Sequence, residues 1–286
     1  MQNTPFLSKS WMCAKENFDE CRQILVGLPF DGTCSFRPGT RFAPARIRTA
    51  SIGIESYSPY FDKDIDDIDF FDAGEIDFPF GNTARTLEMI YTATKEVLSA
   101  GKFWFGVGGE HLVTFPAVKA YFEKYPDLYL VHFDAHTDLR EDYLGEKLSH
   151  ASVIKRCTDL IGFENLCQVG IRSGEKTEFE LMRVHDTLVK TPEEFEKKLD
   201  KIGNRPIFWT VDLDILDPSI FPGTGTPEPG GLGFNELMKY FKIISRKNVV
   251  GCDMNELSPM CDVSDNSTVL AAKVLREMLC ACERTL

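Results

Sequence analysis

The stretch Leu128-Tyr-Leu-Val-His-Phe-Asp-Ala-His-Thr-Asp138 starts as an apolar and aromatic run and ends in two carboxylates and an imidazole. A short run without polar alternation predicts a strand covered on both faces, as in a parallel sheet. Four other runs share the pattern: Ile24-Leu-Val-Gly-Leu28, Phe103-Trp-Phe-Gly-Val107, Ile207-Phe-Trp-Thr-Val211 and Val249-Val-Gly-Cys252. Between them, helical spacing of apolar residues marks 83–99, 116–124, 152–160, 192–202, 234–245 and 266–282. Strand alternating with helix predicts an α/β fold on an open, mainly parallel sheet.

The rest of the chain is consistent with that frame. Its 286 residues are 43% hydrophobic and 27% charged, which excludes disordered and low-complexity classes. No Pro/Gly/Ser-rich linker divides it, so one domain over 1–286 is expected. The dense pieces Arg37-Pro-Gly-Thr40 and Pro222-Gly-Thr-Gly-Thr-Pro-Glu-Pro-Gly-Gly231 read as ordered loops. Lys+Arg 32 against Asp+Glu 44 leaves a net charge of −12, the wrong sign for a nucleic acid and the right one for a small cation. The 9 cysteines include no Cys-x-x-Cys pair, so free thiols are expected, with Cys280 and Cys282 as filler. Without an apolar leader or a run long enough to span a bilayer, the chain is expected to be cytoplasmic with no membrane contact.

In an open parallel sheet, ligands bind beyond the carboxyl ends of the strands. Every such end here carries charge or an imidazole: Gly108-Gly-Glu-His111, Asp134-Ala-His136-Thr-Asp138, Asp212-Leu-Asp214 and Asp253-Met-Asn-Glu256. Strand alternation would bring Asp134, His136 and Asp138 to one side, and Asp212 with Asp214. Together with His111 they make two imidazoles and four carboxylates. Such a group repels itself and takes up protons unless cations compensate, and two divalent ions balance four negative charges. His132 lies further back in its apolar run and is expected to be a core histidine. Asp253, at its strand end, is expected to orient a neighbour. Arg37, Arg41, Arg46 and Arg48 are expected to be structural ion-pair partners.

Ordered motifs running nearly end to end identify a resemblance. Arg37-Pro-Gly-Thr-Arg-Phe-Ala-Pro-Ala-Arg-Ile-Arg48, Gly108-Gly-Glu-His111, Phe133-Asp-Ala-His-Thr-Asp138, Ser149-His150, Val211-Asp-Leu-Asp-Ile-Leu-Asp-Pro218 and Asp253-Met-Asn-Glu-Leu-Ser-Pro259 resemble the ureohydrolase family of arginases and agmatinases, the bacterial agmatinases most. The resemblance implies a three-layer α/β/α fold, a trimer or hexamer, and two Mn²⁺ ions that serve hydrolysis of a guanidinium group to urea. It implies that Asp134 and Asp212 bridge the metals, that His111 and Asp138 complete one sphere, and that His136 and Asp214 complete the other. Asp138 would hydrogen bond the attacking water, His150 would shuttle the proton to the leaving amine, and Glu256 would receive the substrate guanidinium. Thr226 is a further candidate substrate contact.

The substrate's tail would lie under the segment Leu139-Arg-Glu-Asp-Tyr-Leu-Gly-Glu-Lys-Leu-Ser149. Its Glu141, Asp142 and Glu146 suit an amine, which favours cleavage of agmatine to putrescine and urea. Arg140 and Lys147 keep the carboxylate-bearing alternatives open: guanidinobutyrate, arginine and formiminoglutamate. A non-catalytic metal-binding protein of the same fold is the alternative of another class.

Overall fold

The computed structural model describes residues 10–283. Its strands are β1 (Gln23–Leu28), β2 (Tyr57–Ser58), β3 (Lys63–Asp64), β4 (Phe70–Glu75), β5 (Phe103–Gly108), β6 (Tyr129–Phe133), β7 (Leu166–Val169), β8 (Leu188–Val189), β9 (Ile207–Asp212) and β10 (Val249–Asn255). Its helices are α1 (Ala43–Ser51), α2 (Thr83–Ser99), α3 (Thr114–Lys124), α4 (Val153–Ile161), α5 (Lys176–His185), α6 (Pro192–Ile202), α7 (Phe234–Ile244) and α8 (Asn266–Cys282). Apart from the small β2–β3 antiparallel ribbon, the strands form one sheet in the order β4-β1-β5-β10-β9-β6-β7-β8, with every pairing parallel.

Successive residues along each central strand enter different cores, which is why the strands read as continuous apolar runs. Leu25, Phe105, Val131, Trp209 and Met254 pack under α1, α6, α7 and α8. Ile24, Trp104, Leu130 and Phe208 pack under α2, α3, α4 and α5 on the opposite face. The result is the expected three-layer α/β/α arrangement. Cys280 and Cys282 are buried in the first core, and all nine cysteines are free. Among the described residues, no helix is long and apolar enough to cross a membrane.

The structure adds elements that the periodicity misses. β7 and β8 are short, while β4 lies at the sheet's edge and ends in Asp72-Ala-Gly-Glu75, so neither shows a long apolar run. Asp72 in β4 instead holds Arg48 of α1, at 2.7 Å. Helix α5 buries only Glu178 and Met182 and carries many charges, and α1 is short, with small residues on much of its buried face. β10 runs on to Asn255, so Asp253 sits inside the strand and not at its end.

Candidate active site

The four strands whose ends carry the candidate ligands are neighbours in space, in the order β5-β10-β9-β6. The ligands are not brought together by strand alternation, however. β6 stops at Phe133, and Asp134 turns the chain by accepting the His136 N–H on its own Oδ1 at 2.6 Å. The Ala135 carbonyl takes N–H bonds from Arg172 and Ser173, and Thr137 N–H donates to the Ser173 carbonyl. Asp138 adopts φ of 51°, a left-handed conformation that costs a non-glycine residue about 1–3 kcal/mol. The same local device recurs after β9, where Asp212 Oδ1 accepts the Asp214 N–H at 2.8 Å. An aspartate that caps its own turn leaves its second oxygen free to face the cavity.

Two linked groups result. His111 Nδ1 lies 3.1 Å from Asp134 Oδ2, 3.4 Å from Asp138 Oδ2 and 3.3 Å from Asp212 Oδ2. His136 Nδ1 lies 2.9 Å from Asp214 Oδ2 and 3.6 Å from Asp134 Oδ1. Asp134 therefore sends one oxygen to each group. All six residues expected to meet a metal come together, and His132 joins them, with Nε2 2.7 Å from Asp134 Oδ2. It is as buried as a core histidine should be, but it has a carboxylate for a partner.

This donor set fits divalent cations. His111 Nδ1 and Asp214 Oδ2, one in each group, are buried without a hydrogen-bond partner, and an orphaned polar atom in a core is costly. Burial and then the charge on Asp134 push the Asp138 carboxyl up to about 7. Burial and the charges of Asp214 and Asp134 push Asp212 well above the carboxylate range. Added positive charge removes both penalties. His111 is supported from behind as well: Nε2 is 2.8 Å from the Thr210 hydroxyl, the Thr210 and Thr114 hydroxyls are 3.2 Å apart, and Asn255 Nδ2 links Thr114 to Asp253 Oδ1. Asp253 thus supports a ligand without meeting the cavity, as expected, although it does so from within β10.

A cavity of about 220 Å³ opens beside the cluster, lined by Asp138, His150, Thr226 and Glu256 among others. His150 Nδ1 is 2.8 Å from the Thr33 carbonyl, so that nitrogen carries the proton, and Nε2 lies 3.1 Å from Ser35 Oγ. Burial, partly offset by the Thr33 bond, lowers its pKa. Glu256, at φ of 70°, accepts the His111 N–H on Oε1 at 2.7 Å. Glu110 is a residue the sequence reading passed over. Fully buried, with its pKa raised to about 7 by that burial, it accepts from Thr33 N–H and the Thr33 hydroxyl, which in turn accepts the His150 N–H. Gly109 beside it cannot be replaced, because a Cβ there would stand 1.8 Å from the Phe30 carbonyl oxygen.

Arginines outside the cavity lining hold segments of the fold. Arg41 pairs with Asp31, Arg46 with Asp265, and Arg48 with Asp72 and Glu75, as expected of structural ion pairs. Arg37 departs from that expectation, since it donates to the carbonyls of Thr224 and Gly225 and so fixes the 222–231 loop. Arg172, unremarked in the sequence, donates to the carbonyls of Asp214 and Glu228 and ties the same loop to the cluster.

The acidic-tail argument is overturned. Glu141, Asp142 and Glu146 do not line the cavity. Glu141 is spent on Lys155 at 3.1 Å and Arg156 at 3.4 Å, and Asp142 caps the Gly145 N–H. Arg140 does line the cavity, but its guanidinium is bound to Glu175 at 2.8 Å and lies over the Tyr143 ring. Lys147 is outside the cavity, 3.6 Å from Glu141.

Residues 22–281 match the arginase family. The chain is 46% identical over 279 residues to the agmatinase of Bacillus subtilis and 48% identical over 279 residues to that of Bacillus anthracis, with 96% of each chain covered in both cases. It superposes on the crystal structure of the agmatine ureohydrolase of Thermoplasma volcanium with a TM-score of 0.86 at 31% identity, covering 96% of this chain and 94% of that one. The chain belongs to the arginase family of ureohydrolases. Within the family its likeness is to the bacterial agmatinases, and it is a metal-dependent amidinohydrolase, which excludes the non-catalytic alternative.

Proposed function

We propose that the protein hydrolyses agmatine to putrescine and urea, acting as one domain with two Mn²⁺ ions. The observation that carries this reading is the pair of orphaned buried polar atoms, His111 Nδ1 and Asp214 Oδ2, placed on either side of a shared Asp134 and beside a cavity. His111, Asp134, Asp138 and Asp212 would hold one ion, and His136 and Asp214, sharing Asp134 and Asp212, would hold the other. When bound, the ions supply an activated water and compensate the carboxylate charge.

The chain's own residues do the rest. Glu256, oriented by the His111 N–H, accepts the planar N–H fork of the guanidinium and sets its carbon before the cluster. Asp138 accepts the hydrogen bond of the attacking water. His150 has its Nδ1–H anchored on Thr33, which leaves the Nε2 lone pair to take the proton released by the attacking water and pass it to the departing amine. Thr226 borders the substrate from the ordered loop. Preference for an amine tail is supported by the state of Arg140. It is the one Lys or Arg among the described residues lining the cavity, and its charge is already met by Glu175.

Release of urea by the Mn²⁺-loaded protein, compared across agmatine, arginine and guanidinobutyrate, tests the reading, with formiminoglutamate followed by formamide. Agmatine should be turned over fastest by a wide margin. Preference for a carboxylate-bearing substrate would keep the chemistry and reassign the tail contact to a released Arg140. Assembly into a trimer or hexamer belongs to the same reading, and light scattering in solution checks it.

A further inference from the structure

His132 is wholly buried on β6, yet both of its ring nitrogens have directed partners. Gln168 of β7 stands in register with it across the sheet. The Gln168 amide has one orientation only. Its Nε2 donates to the Thr137 carbonyl oxygen at 3.0 Å, and its Oε1 accepts from the Thr187 hydroxyl at 2.9 Å. A carbonyl oxygen can only accept, so the amide nitrogen must be the atom that faces it. The same Nε2 is 3.2 Å from His132 Nδ1, which therefore accepts and carries no proton. The ring proton sits on Nε2 and is donated to Asp134 Oδ2 at 2.7 Å.

An imidazole so engaged on both sides has no lone pair left for a cation, although it stands within the cluster. Its role lies with the carboxylate. Asp134 must divide its oxygens between the His111 and His136 groups, and a carboxylate torsion is soft unless something fixes it. The His136 N–H fixes one oxygen and the His132 Nε2–H the other. Metal-bound histidines are commonly held by a carboxylate behind them; here the order is reversed, and a histidine holds the carboxylate. We propose that His132 is a positioning residue that orients the shared Asp134 through a one-way N–H···O bond, with Gln168 setting its tautomer. The proposal rests on reading the cluster as a metal centre.

Calorimetric titration of the cation-stripped protein with Mn²⁺, alongside circular dichroism and the Tm of each stripped form, tests it. His132→Phe should keep the fold and lower Mn²⁺ affinity about 10–100-fold. His132→Gln, whose amide can still donate, should recover part of the loss, a rescue that a purely space-filling role would not produce. Gln168→Leu should weaken binding less than His132→Phe does. A folded His132→Phe that binds Mn²⁺ with wild-type affinity overturns the proposal. Should that variant fail to fold, unchanged affinity in Gln168→Leu overturns it instead. A wild-type protein that takes up no Mn²⁺ fails the metal-centre reading itself, and the proposal falls with it.

Discussion

The two groups that share Asp134 are built differently. The His111 side is the more buried: the imidazole is 1% exposed, three carboxylate oxygens surround Nδ1, and a network of Thr210, Thr114, Asn255 and Asp253 lies behind Nε2. The His136 side is the more exposed: its imidazole is 25% exposed, with Asp214 and the second oxygen of Asp134 as its nearest carboxylates, while both imidazoles border the cavity. The more buried side gains rigidity from a hydrogen-bonded network around Thr210, and the more exposed side gains access. A cation on the His136 side is therefore expected to exchange with solvent more readily than one on the His111 side.

Substituting the residue common to both sides should have the largest effect. Asp134→Asn removes a charge from each group and should abolish both cation binding and turnover; a fully active variant would break the two-metal picture. His150→Ala touches neither group and should lower turnover about 10²–10⁴-fold while both cations stay bound, as counted by elemental analysis. Unchanged turnover would take His150 out of the proton step. Thr210→Val removes the support of the His111 side alone and should weaken the tighter of two cation sites about 10–100-fold, leaving the weaker one unaltered. A chelator added to the loaded protein should remove the His136-side cation first, and simultaneous loss of both would erase the distinction between the sides.

The smallest effect concerns pH. Burial holds His150 below its ordinary value of 6.5. As pH falls, the unfolded chain takes up this proton before the folded one, so stability is full above about 6.5 and declines below it, through the lower folded pKa. His150→Gln should flatten that part of the Tm profile, and identical profiles would refute the assignment.

Much of this was legible in the sequence because it is local. The central strands are apolar on both faces and show as unbroken runs, and chemistry-bearing residues directly follow them, as at His111, Asp134 and Asp212. Edge elements escaped because they are short or polar, as β8 and β4 are. His132 was placed correctly in the core, but its bond to Asp134 depends on Gln168 in a neighbouring strand and could not be read from its own run. Glu110 stood inside a quoted motif with no visible task, since its partner Thr33 lies far away in the chain. The charges of Glu141, Asp142 and Glu146 were visible, but their direction was not.

The sequence by itself determined the parallel α/β plan, the six candidate ligands and the need for compensating cations, because burial periodicity and charge stoichiometry are properties of the chain. Tertiary structure decided which strands are neighbours, how Asp134 divides its oxygens and which charges face the cavity. Those depend on hydrogen bonds across strands and on turns closed by single side chains, as where Asp134 and Asp212 cap their own loops, and such partners are chosen only when the chain is folded.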